Sequence, residues 1–321
     1  MGGVKAKIAN YPWKTASGRT IKMGVGCAYL GSNAKERRDD PIGDDVRLLE
    51  RCYEAGFRYF DTSADYGESE DVLGGFLKRI DRKSIFLATK SPFRFRDEPI
   101  AKATAAFKAT FYKSFERMDA DYIDLYQIHD TDDVYVCLGE VIPFLRERRE
   151  EGLIGAIGMG TRSLIALEQG IRCGALESAL SYLEYSLLKT SARPLIGAAE
   201  ECGAAFINAS TLHFGLLKSA DPLGRTYDGR KPPSLPSQIH ASEAAASMRE
   251  LLKELGVDVI AAALQISLLE PRIDMTLNGI ARASNLASTL EAMDRAIHPE
   301  QWAAILKARE ALPYAALQDM P

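Results

Sequence analysis

Eight short apolar runs, each followed by a segment of helical spacing, constrain the fold of this chain more than any other feature. The runs are continuously apolar, which is typical of strands covered on both faces. A strand–helix order repeated in this way implies parallel strands joined by right-handed crossovers. The predicted strands are Ile21–Cys27, Phe57–Thr62, Ser84–Thr89, Tyr122–Ile128, Gly155–Gly158, Ala179–Leu183, Ala204–Ala209 and Met275–Gly279.

These units predict an α/β fold, a single-domain TIM (β/α)8 barrel with its active site at the C-terminal ends of the strands. A barrel of this kind uses all 321 residues as one unit. We expect residues 1–20 to form an N-terminal arm and residues 219–241 to form a long loop on the active face. The predicted helices are Asp44–Ala55, Ser69–Leu77, Ala101–Met118, Leu138–Arg149, Ser163–Cys173, Arg193–Cys202, Ser242–Leu255, Val257–Leu268, Leu286–Ala296 and 299–313.

Charge and cysteine usage exclude several classes of protein. The formal net charge is −4 and no dense basic run occurs, which argues against nucleic acid as a partner. The five cysteines are widely spaced and form no CxxC or Cys/His cluster, so we predict neither a metal site nor a disulfide framework. The N-terminus lacks the apolar core of a signal peptide, and no apolar run reaches the length of a membrane span. We therefore expect a cytoplasmic protein with no membrane partner.

Four titratable residues lie at or just after the ends of three successive strands. Asp61 and Tyr66 follow the second strand, Lys90 follows the third, and His129 follows the fourth. The C-terminal ends of parallel barrel strands converge on one face, so these side chains should meet there. Considered singly, each has a non-catalytic interpretation. The tyrosine could lie at the edge of a loop, the lysine could be solvated and the histidine could be structural. Together they predict a catalytic site.

In such a site Tyr66 is the candidate proton donor and acceptor. A free phenol has a pKa of ~10, too high for efficient proton transfer near neutrality, and the ammonium of Lys90 should lower that pKa. Asp61 would pair with Lys90 and offset the cost of burying it, while His129 would bind and orient the substrate oxygen.

Three stretches of the chain resemble a known family. FDTSADYGESEDVLG, the lysine in LATKS, and RMDADYIDLYQIHD resemble the three signature regions of the aldo-keto reductases, in the same order and over almost the whole chain. The resemblance implies a catalytic tetrad of Asp61, Tyr66, Lys90 and His129. It also implies a nicotinamide cofactor, which exchanges the hydride that no side chain can carry. Asp130 and the NASTLHFGLL stretch resemble the sugar-oxidising branch of that family, the aldose 1-dehydrogenases and L-galactose dehydrogenases.

Cofactor contacts are predicted from this resemblance, because GVGCAYLG lacks the spacing of a GxGxxG fingerprint. The resemblance implies nicotinamide contacts on strands five and six, pyrophosphate contacts after strand seven, and adenosine contacts after strand eight. The corresponding residues are Gly160, Thr161 and Tyr182, then Ser210, Leu212, Gly215 and Leu217, then Gly279, Arg282, Asn285, Ser288 and Thr289. The aromatic residue that stacks on the nicotinamide in the family matches Ala209 here.

The choice between NAD and NADP depends on the adenosine end of this site. Gly279 and Asn285 stand where NADPH-preferring members often carry Lys and Arg. A 2′-phosphate requires basic, preferably bidentate partners, and Arg282 is the one that remains. We expect a preference for NAD. The alternative is that NADP binds through Arg282. Arg282 could also be a solvated surface residue with no role in cofactor binding.

The predicted substrate pocket is formed by Ala28, Tyr29, Phe93, Asp130 and Phe214. Asp130, directly after His129, is an acceptor for sugar hydroxyls. The alternative is that Asp130 caps the following helix through the loop HDTDD. His213 is a further pocket candidate.

These observations favour an NAD(P)-dependent oxidoreductase that transfers hydride between a nicotinamide and a sugar-like substrate, an aldose 1-dehydrogenase of the L-galactose or L-fucose type. The alternative among enzymes is an NADPH-dependent aldehyde or ketone reductase, or a pyridoxal-type dehydrogenase. A non-catalytic regulatory subunit is a third hypothesis, which the intact tetrad disfavours. The sequence does not determine the sugar, the physiological direction or the oligomeric state.

Overall fold

Eight parallel strands close into a barrel in a computed structural model that describes residues 3–31, 40–223, 236–313 and 315. Each barrel strand pairs with the next in the chain, and β10 pairs with β3 to close the sheet. The barrel strands are β3 (Met23–Gly26), β4 (Tyr59–Asp61), β5 (Phe86–Pro92), β6 (Leu125–His129), β7 (Ile157–Gly160), β8 (Ser178–Tyr182), β9 (Ala205–Ala209) and β10 (Met275–Gly279). The predicted barrel and the order of its strands are confirmed.

A short helix precedes the strands, and the other helices pack around the barrel. They are α1 (Val4–Ile8), α2 (Pro41–Glu54), α3 (Ser69–Leu77), α4 (Ile100–Met118), α5 (Val134–Glu140), α6 (Ile142–Glu150), α7 (Leu164–Arg172), α8 (Arg193–Glu201), α9 (Pro236–Glu254), α10 (Val259–Gln265), α11 (Ala283–Asp294) and α12 (Pro299–Ala311). None of these helices, within the described ranges, is long and apolar enough to cross a membrane.

The described part of the predicted N-terminal arm, residues 3–20, contains a short helix and a strand hairpin. Helix α1 places Val4 and Ile8 against the apolar side chains inside the barrel. Strands β1 (Trp13–Lys14) and β2 (Thr20–Ile21) form a short antiparallel hairpin. The indole of Trp13 stacks on Phe57 with ring centroids 4.5 Å apart. The segment therefore contributes to the core through Val4, Ile8 and Trp13, which are buried.

Several predicted boundaries differ from the structure by a few residues. Strand β7 lies two residues later than the predicted Gly155–Gly158, and the predicted helix Leu138–Arg149 is divided into α5 and α6. Helix α9 begins at Pro236, so the C-terminal part of the loop predicted for 219–241 is helical. Residues 224–235 of that loop lie outside the described part of the chain.

Alternation along the strands decides which side chains point into the barrel. On β5, Phe86 and Ala88 belong to the interior cluster, whereas the intervening Leu87 packs outside with the helices. A strand has a side-chain period of two, so Lys90 continues the interior row. On β4 the same rule takes Tyr59 into the interior cluster and points Asp61 the same way.

Strand β6 follows the same alternation. Leu125 lies in the interior cluster, and Tyr126 and Ile128 pack outside. Gln127 and His129 therefore continue the interior row toward the C-terminal end of the barrel. The apolar layers end below this level, so the polar side chains occupy the layer that faces the active-site end.

Candidate active site

A buried ion pair lies at the centre of the C-terminal end of the barrel. The ammonium of Lys90 donates to the carboxylate of Asp61, with Nζ 2.5 Å from Oδ1, and to the carbonyl oxygen of Thr62 at 2.6 Å. The other carboxylate oxygen of Asp61 accepts from Gln127 Nε2 at 3.1 Å. Lys90 is 1% exposed and Asp61 3%. Both charges are therefore compensated by fixed partners inside the protein.

Tyr66 and His129 lie beside this pair. The Lys90 ammonium is 5.2 Å from the centre of the Tyr66 ring. The rings of Tyr66 and His129 meet edge to face, with centroids 5.6 Å apart. The four side chains predicted from strand ends are thus brought together at one place, as parallel strands of a barrel require.

The pKa of Tyr66 differs from the sequence prediction. Burial raises the pKa of this phenol well above its ordinary value, and the negative charges of Asp61 and Asp130 raise it further. The net shift is therefore opposite to the one predicted from Lys90 alone. The physical reason is that burial and the nearby carboxylates outweigh the ammonium, whose charge is partly offset by Asp61 at 2.5 Å. Tyr66 is a neutral phenol that can donate a proton.

His129 is a neutral imidazole in this surrounding. Burial, together with the positive charges of Lys90 and Arg94, lowers the pKa of His129 to about 3. Its Nδ1 lies 2.9 Å from the hydroxyl oxygen of Ser63, and its Nε2 lies 3.5 Å from a carboxylate oxygen of Asp130. A neutral ring can donate through one nitrogen and accept through the other.

One cavity of about 800 Å³ is lined by all four of these side chains. Ligand sites for small molecules and cofactors typically enclose about 300–1,000 Å³. The cavity also reaches the segments after β9 and β10, where the sequence predicts the remote parts of the cofactor. A dinucleotide that filled it would therefore meet the tetrad at one end.

Four of the five predicted substrate residues line this cavity, namely Ala28, Tyr29, Asp130 and Phe214. Phe93 does not line it, which corrects that prediction. Its ring is buried against Phe95 and against Phe107 of α4, because the chain has left β5 and turned toward the outer layer. His213 is also buried behind the wall, where Nε2 lies 2.6 Å from the hydroxyl of Ser186.

The position of Asp130 decides between its two predicted roles, which are substrate binding and helix capping. The residue that caps α5 is Asp133, whose carboxylate accepts from the backbone N–H groups of Tyr135 and Val136. Asp130 instead turns its carboxylate into the cavity and accepts from the hydroxyl of Tyr182 at 3.1 Å. Its backbone is left-handed, with φ of 48°, a conformation that aspartate tolerates better than most residues. The capping interpretation is therefore wrong.

The predicted cofactor residues divide into two groups. Eight line the cavity: Gly160, Tyr182, Ser210, Leu212, Gly215, Gly279, Arg282 and Asn285. Four lie behind or beside the wall: Thr161, Leu217, Ser288 and Thr289.

Physical reasons explain these four exceptions. The Thr161 hydroxyl accepts from the backbone of Ser163 just before α7. The Leu217 side chain is buried in a separate apolar cluster with α9 and α12. Helix α11 turns Ser288 and Thr289 away from the cavity, and the Thr289 hydroxyl accepts from the amide of Asn278 at 2.8 Å.

Sequence reasoning missed several residues of this site. Gln127 lies two positions before His129, so strand alternation would have found it. Ser63 contacts His129 and is part of the same signature stretch. Lys218 and Ser284 also line the cavity; the signal for Lys218 is a lone basic residue directly after LHFGLL.

The residues present fit a nicotinamide dinucleotide. Lys218 and Arg282 supply positive charge to the wall, and α11 begins at Ala283, next to wall residues Arg282 and Ser284. The N-terminus of a helix attracts phosphate groups. Near the tetrad, a Cβ on Gly160 would come within 3.1 Å of the Lys90 side chain. The cavity wall is therefore basic at the end remote from the tetrad, and the cavity is narrow beside Lys90.

Comparison with known proteins agrees with this geometry. A sequence profile of the Aldo/keto reductase family matches residues 22–310. A D-threo-aldose 1-dehydrogenase from Pseudomonas sp is 27% identical over 328 residues, which cover 93% of this chain and 97% of that protein. An L-galactose dehydrogenase from Arabidopsis thaliana is 28% identical over 285 residues, 84% of this chain and 83% of that protein.

Two further proteins bear on fold and chemistry. The solved structure of an aldo-keto reductase from Bacillus halodurans in its holo form superposes with a TM-score of 0.72 at 21% identity, covering 96% of this chain and 97% of that one. At this identity the likeness supports the fold alone. An NADH-specific methylglyoxal reductase from Escherichia coli is 23% identical over 213 residues, 61% of this chain and 65% of that protein.

Proposed function

This chain belongs to the aldo/keto reductase family of nicotinamide-dependent oxidoreductases, and from that premise we propose that it is an aldose 1-dehydrogenase. The reaction is hydride transfer between a nicotinamide and a sugar-like substrate of the L-galactose or L-fucose type. The observation that carries the proposal is the Asp130 carboxylate, which faces the cavity with Oδ2 3.5 Å from His129 Nε2.

Tyr66 moves the proton in this proposal. In the oxidising direction the phenolate form of Tyr66 takes the proton of the sugar hydroxyl, and in the reducing direction the neutral phenol gives its proton to the carbonyl oxygen. General acid–base groups contribute ~10²–10⁴-fold to rate. Burial raises the pKa of Tyr66, so the neutral phenol that the reducing direction uses is the resident form, and the oxidising direction requires that its proton first leaves the site.

His129 and the buried pair hold the reacting atoms in place. The neutral imidazole of His129 binds the substrate oxygen, and its ring is oriented by Ser63 and by the edge-to-face contact with Tyr66. Asp61 fixes the Lys90 ammonium below the Tyr66 ring. A positive charge at this place stabilises developing negative charge on the phenol or substrate oxygen.

Asp130 favours a substrate that carries several hydroxyl groups, such as a sugar. An ionised carboxylate accepts hydrogen bonds at two oxygens, and Tyr182 occupies one of them. Hydroxyl groups next to the reacting carbon can donate to the other. The two sugar dehydrogenases among the similar proteins carry the same class of substrate in their names.

The cofactor would be held by the wall residues after β7, β8, β9 and β10. A bound nicotinamide supplies the hydride acceptor or donor that no side chain provides. Gly160 and Tyr182 would border the nicotinamide, Ser210 and Gly215 the phosphates, and Arg282 the adenosine ribose. We propose a preference for NAD, since Gly279 and Asn285 offer no cation to a 2′-phosphate.

A spectrophotometric panel tests this proposal. The purified protein is offered L-galactose, L-fucose, D-arabinose and their enantiomers with NAD and, separately, with NADP, while absorbance of the reduced nicotinamide is followed. We expect oxidation of at least one aldose, abolished in Tyr66→Phe, and a raised KM for that sugar in Asp130→Ala. No turnover of any aldose, with active reduction of simple aldehydes instead, would refute the aldose assignment.

Carbonyl reduction is the second candidate function. It is favoured by the neutral Tyr66 phenol and by similarity to a methylglyoxal reductase. The same panel extended to methylglyoxal and pyridoxal with NADH and NADPH separates the candidates by their kcat/KM values. Cofactor binding without turnover of any of these substrates would favour the regulatory-subunit hypothesis.

A further inference from the structure

Ser63 is a buried residue between the catalytic loop and the His129 ring. Its hydroxyl oxygen lies 2.9 Å from His129 Nδ1 and 3.2 Å from the carbonyl oxygen of Lys90. The same oxygen accepts from the backbone N–H of Asp65 at 3.2 Å. A serine hydroxyl has one proton, so it can donate to the imidazole or to the carbonyl, but not fully to both.

The two choices give different tautomers of His129. If Ser63 donates to Nδ1, that nitrogen is a bare acceptor and the ring proton lies on Nε2. If Ser63 donates to the Lys90 carbonyl, Nδ1 must carry the proton and Nε2 is bare. Only the first arrangement presents an N–H group to an oxygen in the cavity.

The surrounding hydrogen bonds favour the first arrangement. The Ser63–His129 distance is the shorter one, and the Lys90 carbonyl already accepts from the backbone of Ala64 at 2.9 Å. Nε2 lies 3.5 Å from the Asp130 carboxylate. A bare nitrogen there would place its lone pair against a negative charge, whereas an N–H group would be attracted to it.

Other charges near the ring do not reverse this preference. Asp65 lies 3.9 Å from Nδ1, beyond hydrogen-bond distance, and its carboxylate pairs with Arg94 at 2.9 Å. The charge of Lys90 is paired with Asp61. Burial and these cations lower the pKa of His129 to about 3, so the ring has one proton to place at neutral pH.

We propose that Ser63 is a positioning residue that holds His129 in the Nε2–H tautomer, ready to donate to the substrate oxygen. This inference rests on the proposed oxidoreductase function for its catalytic consequence, and on geometry alone for the tautomer. Ser63 donates its proton to Nδ1, and Nε2–H donates to the carbonyl or alkoxide oxygen. In the absence of a substrate oxygen, Asp130 is the acceptor nearest to this N–H.

Nitrogen NMR of the histidine rings tests the tautomer directly. In ¹⁵N-labelled wild-type protein at pH 7, long-range ¹H–¹⁵N spectra distinguish a protonated from a bare ring nitrogen. His129→Gln identifies which signals belong to His129. We expect a protonated Nε2 and a bare Nδ1. A wild-type spectrum with the proton on Nδ1 would overturn the proposal without any need for a Ser63 variant.

Variants of Ser63 test its effect on turnover. Ser63→Ala should increase the Nδ1–H population and lower kcat about 10- to 100-fold, since a catalytic histidine held in the wrong tautomer can lose up to ~10⁴-fold. Ser63→Thr, which keeps the hydroxyl, should restore both properties. Ser178→Ala, at another buried serine on β8, is the matched control.

The outcomes separate this proposal from the proposed function. Ser63→Ala that keeps the wild-type tautomer, or that turns over at the wild-type rate, would overturn the role of Ser63. Cofactor affinity should not change in Ser63→Ala. If the protein oxidised no substrate at all, the proposed function would fail, yet the wild-type spectrum would still decide the tautomer.

Discussion

Replacing Lys90 by methionine should destabilise the protein strongly, because it leaves a buried carboxylate without its cation. The pair is almost inaccessible to water, with side chains 2% and 4% exposed. Removing one partner of a buried pair typically costs about 3–5 kcal/mol in the free energy of unfolding. For a chain of this size, about 2 °C per kcal/mol gives a fall of about 6–10 °C in Tm.

The loss should also depend on pH. Burial already raises the pKa of Asp61, and Lys90 opposes that rise, so Lys90→Met should raise it further. A carboxyl with a folded-state pKa above its unfolded value stabilises the protein below the unfolded pKa and loses that contribution as pH rises through the folded pKa. The variant should therefore lose more stability relative to wild type at pH 8 than at pH 5.

Urea unfolding followed by circular dichroism measures both effects. The matched control is Lys78→Met, which removes the cation of an exposed pair with Asp119, whose side chains are 66% and 70% exposed. Such a pair contributes about 0–1 kcal/mol. The double variant Asp61→Asn with Lys90→Met removes both charges and should be more stable than Lys90→Met alone.

Two results would refute this reasoning. In the first, Lys90→Met loses no more stability than Lys78→Met, which would mean that the Lys90–Asp61 pair is solvated. In the second, the stability lost by the double variant equals the sum of the losses in Asp61→Asn and Lys90→Met, which would mean that the two side chains do not interact.

Three further predictions concern the same site. Tyr66→Phe should lower kcat by about 10²–10⁴-fold with nucleotide affinity retained in fluorescence titrations, and near wild-type turnover would remove Tyr66 from proton transfer. Since the folded pKa of His129 is about 3 and an unfolded histidine titrates near ~6.5, stability is full above pH ~6.5 and lost as pH falls toward 3. Between pH 7 and pH 5, His129→Gln should therefore lose about 2 kcal/mol less unfolding free energy than the wild type does. The control is His240→Gln, at an exposed site. If His129→Gln lost as much as the wild type, a buried neutral His129 ring would be contradicted. Arg282→Ala should weaken NADP more than NAD, whereas Lys218→Ala should weaken both alike if it meets the shared phosphates; equal losses in Arg282→Ala would remove Arg282 from the 2′ position.

The sequence alone determined the barrel and the identity of the catalytic candidates. Eight apolar runs alternating with helices leave few alternatives to parallel strands in a closed sheet, and strand ends in such a sheet converge. That is why the sequence predicts that Asp61, Lys90 and His129, which are far apart in the chain, lie together in the fold. Their inward direction follows from the two-residue period of a strand.

Loop residues were predicted less well, because they have no such period. Phe93 follows β5 directly and was expected in the substrate pocket, yet it turns outward to Phe107. Leu217 stands among wall residues, but the turn that contains it directs its side chain into the cluster beneath α9. Sequence spacing places a loop residue near a site, whereas the direction of its side chain depends on the local backbone and on the available apolar surface.

The tertiary structure alone decided the protonation of the site. The sequence predicts that Lys90 lowers the pKa of Tyr66, but Asp61 partly offsets the ammonium charge and burial raises that pKa. The partner of His129 Nδ1 was likewise invisible until Ser63 and His129 were brought within 2.9 Å. A pKa and a tautomer depend on burial and on distances between groups remote in sequence, and these exist only once the chain is folded.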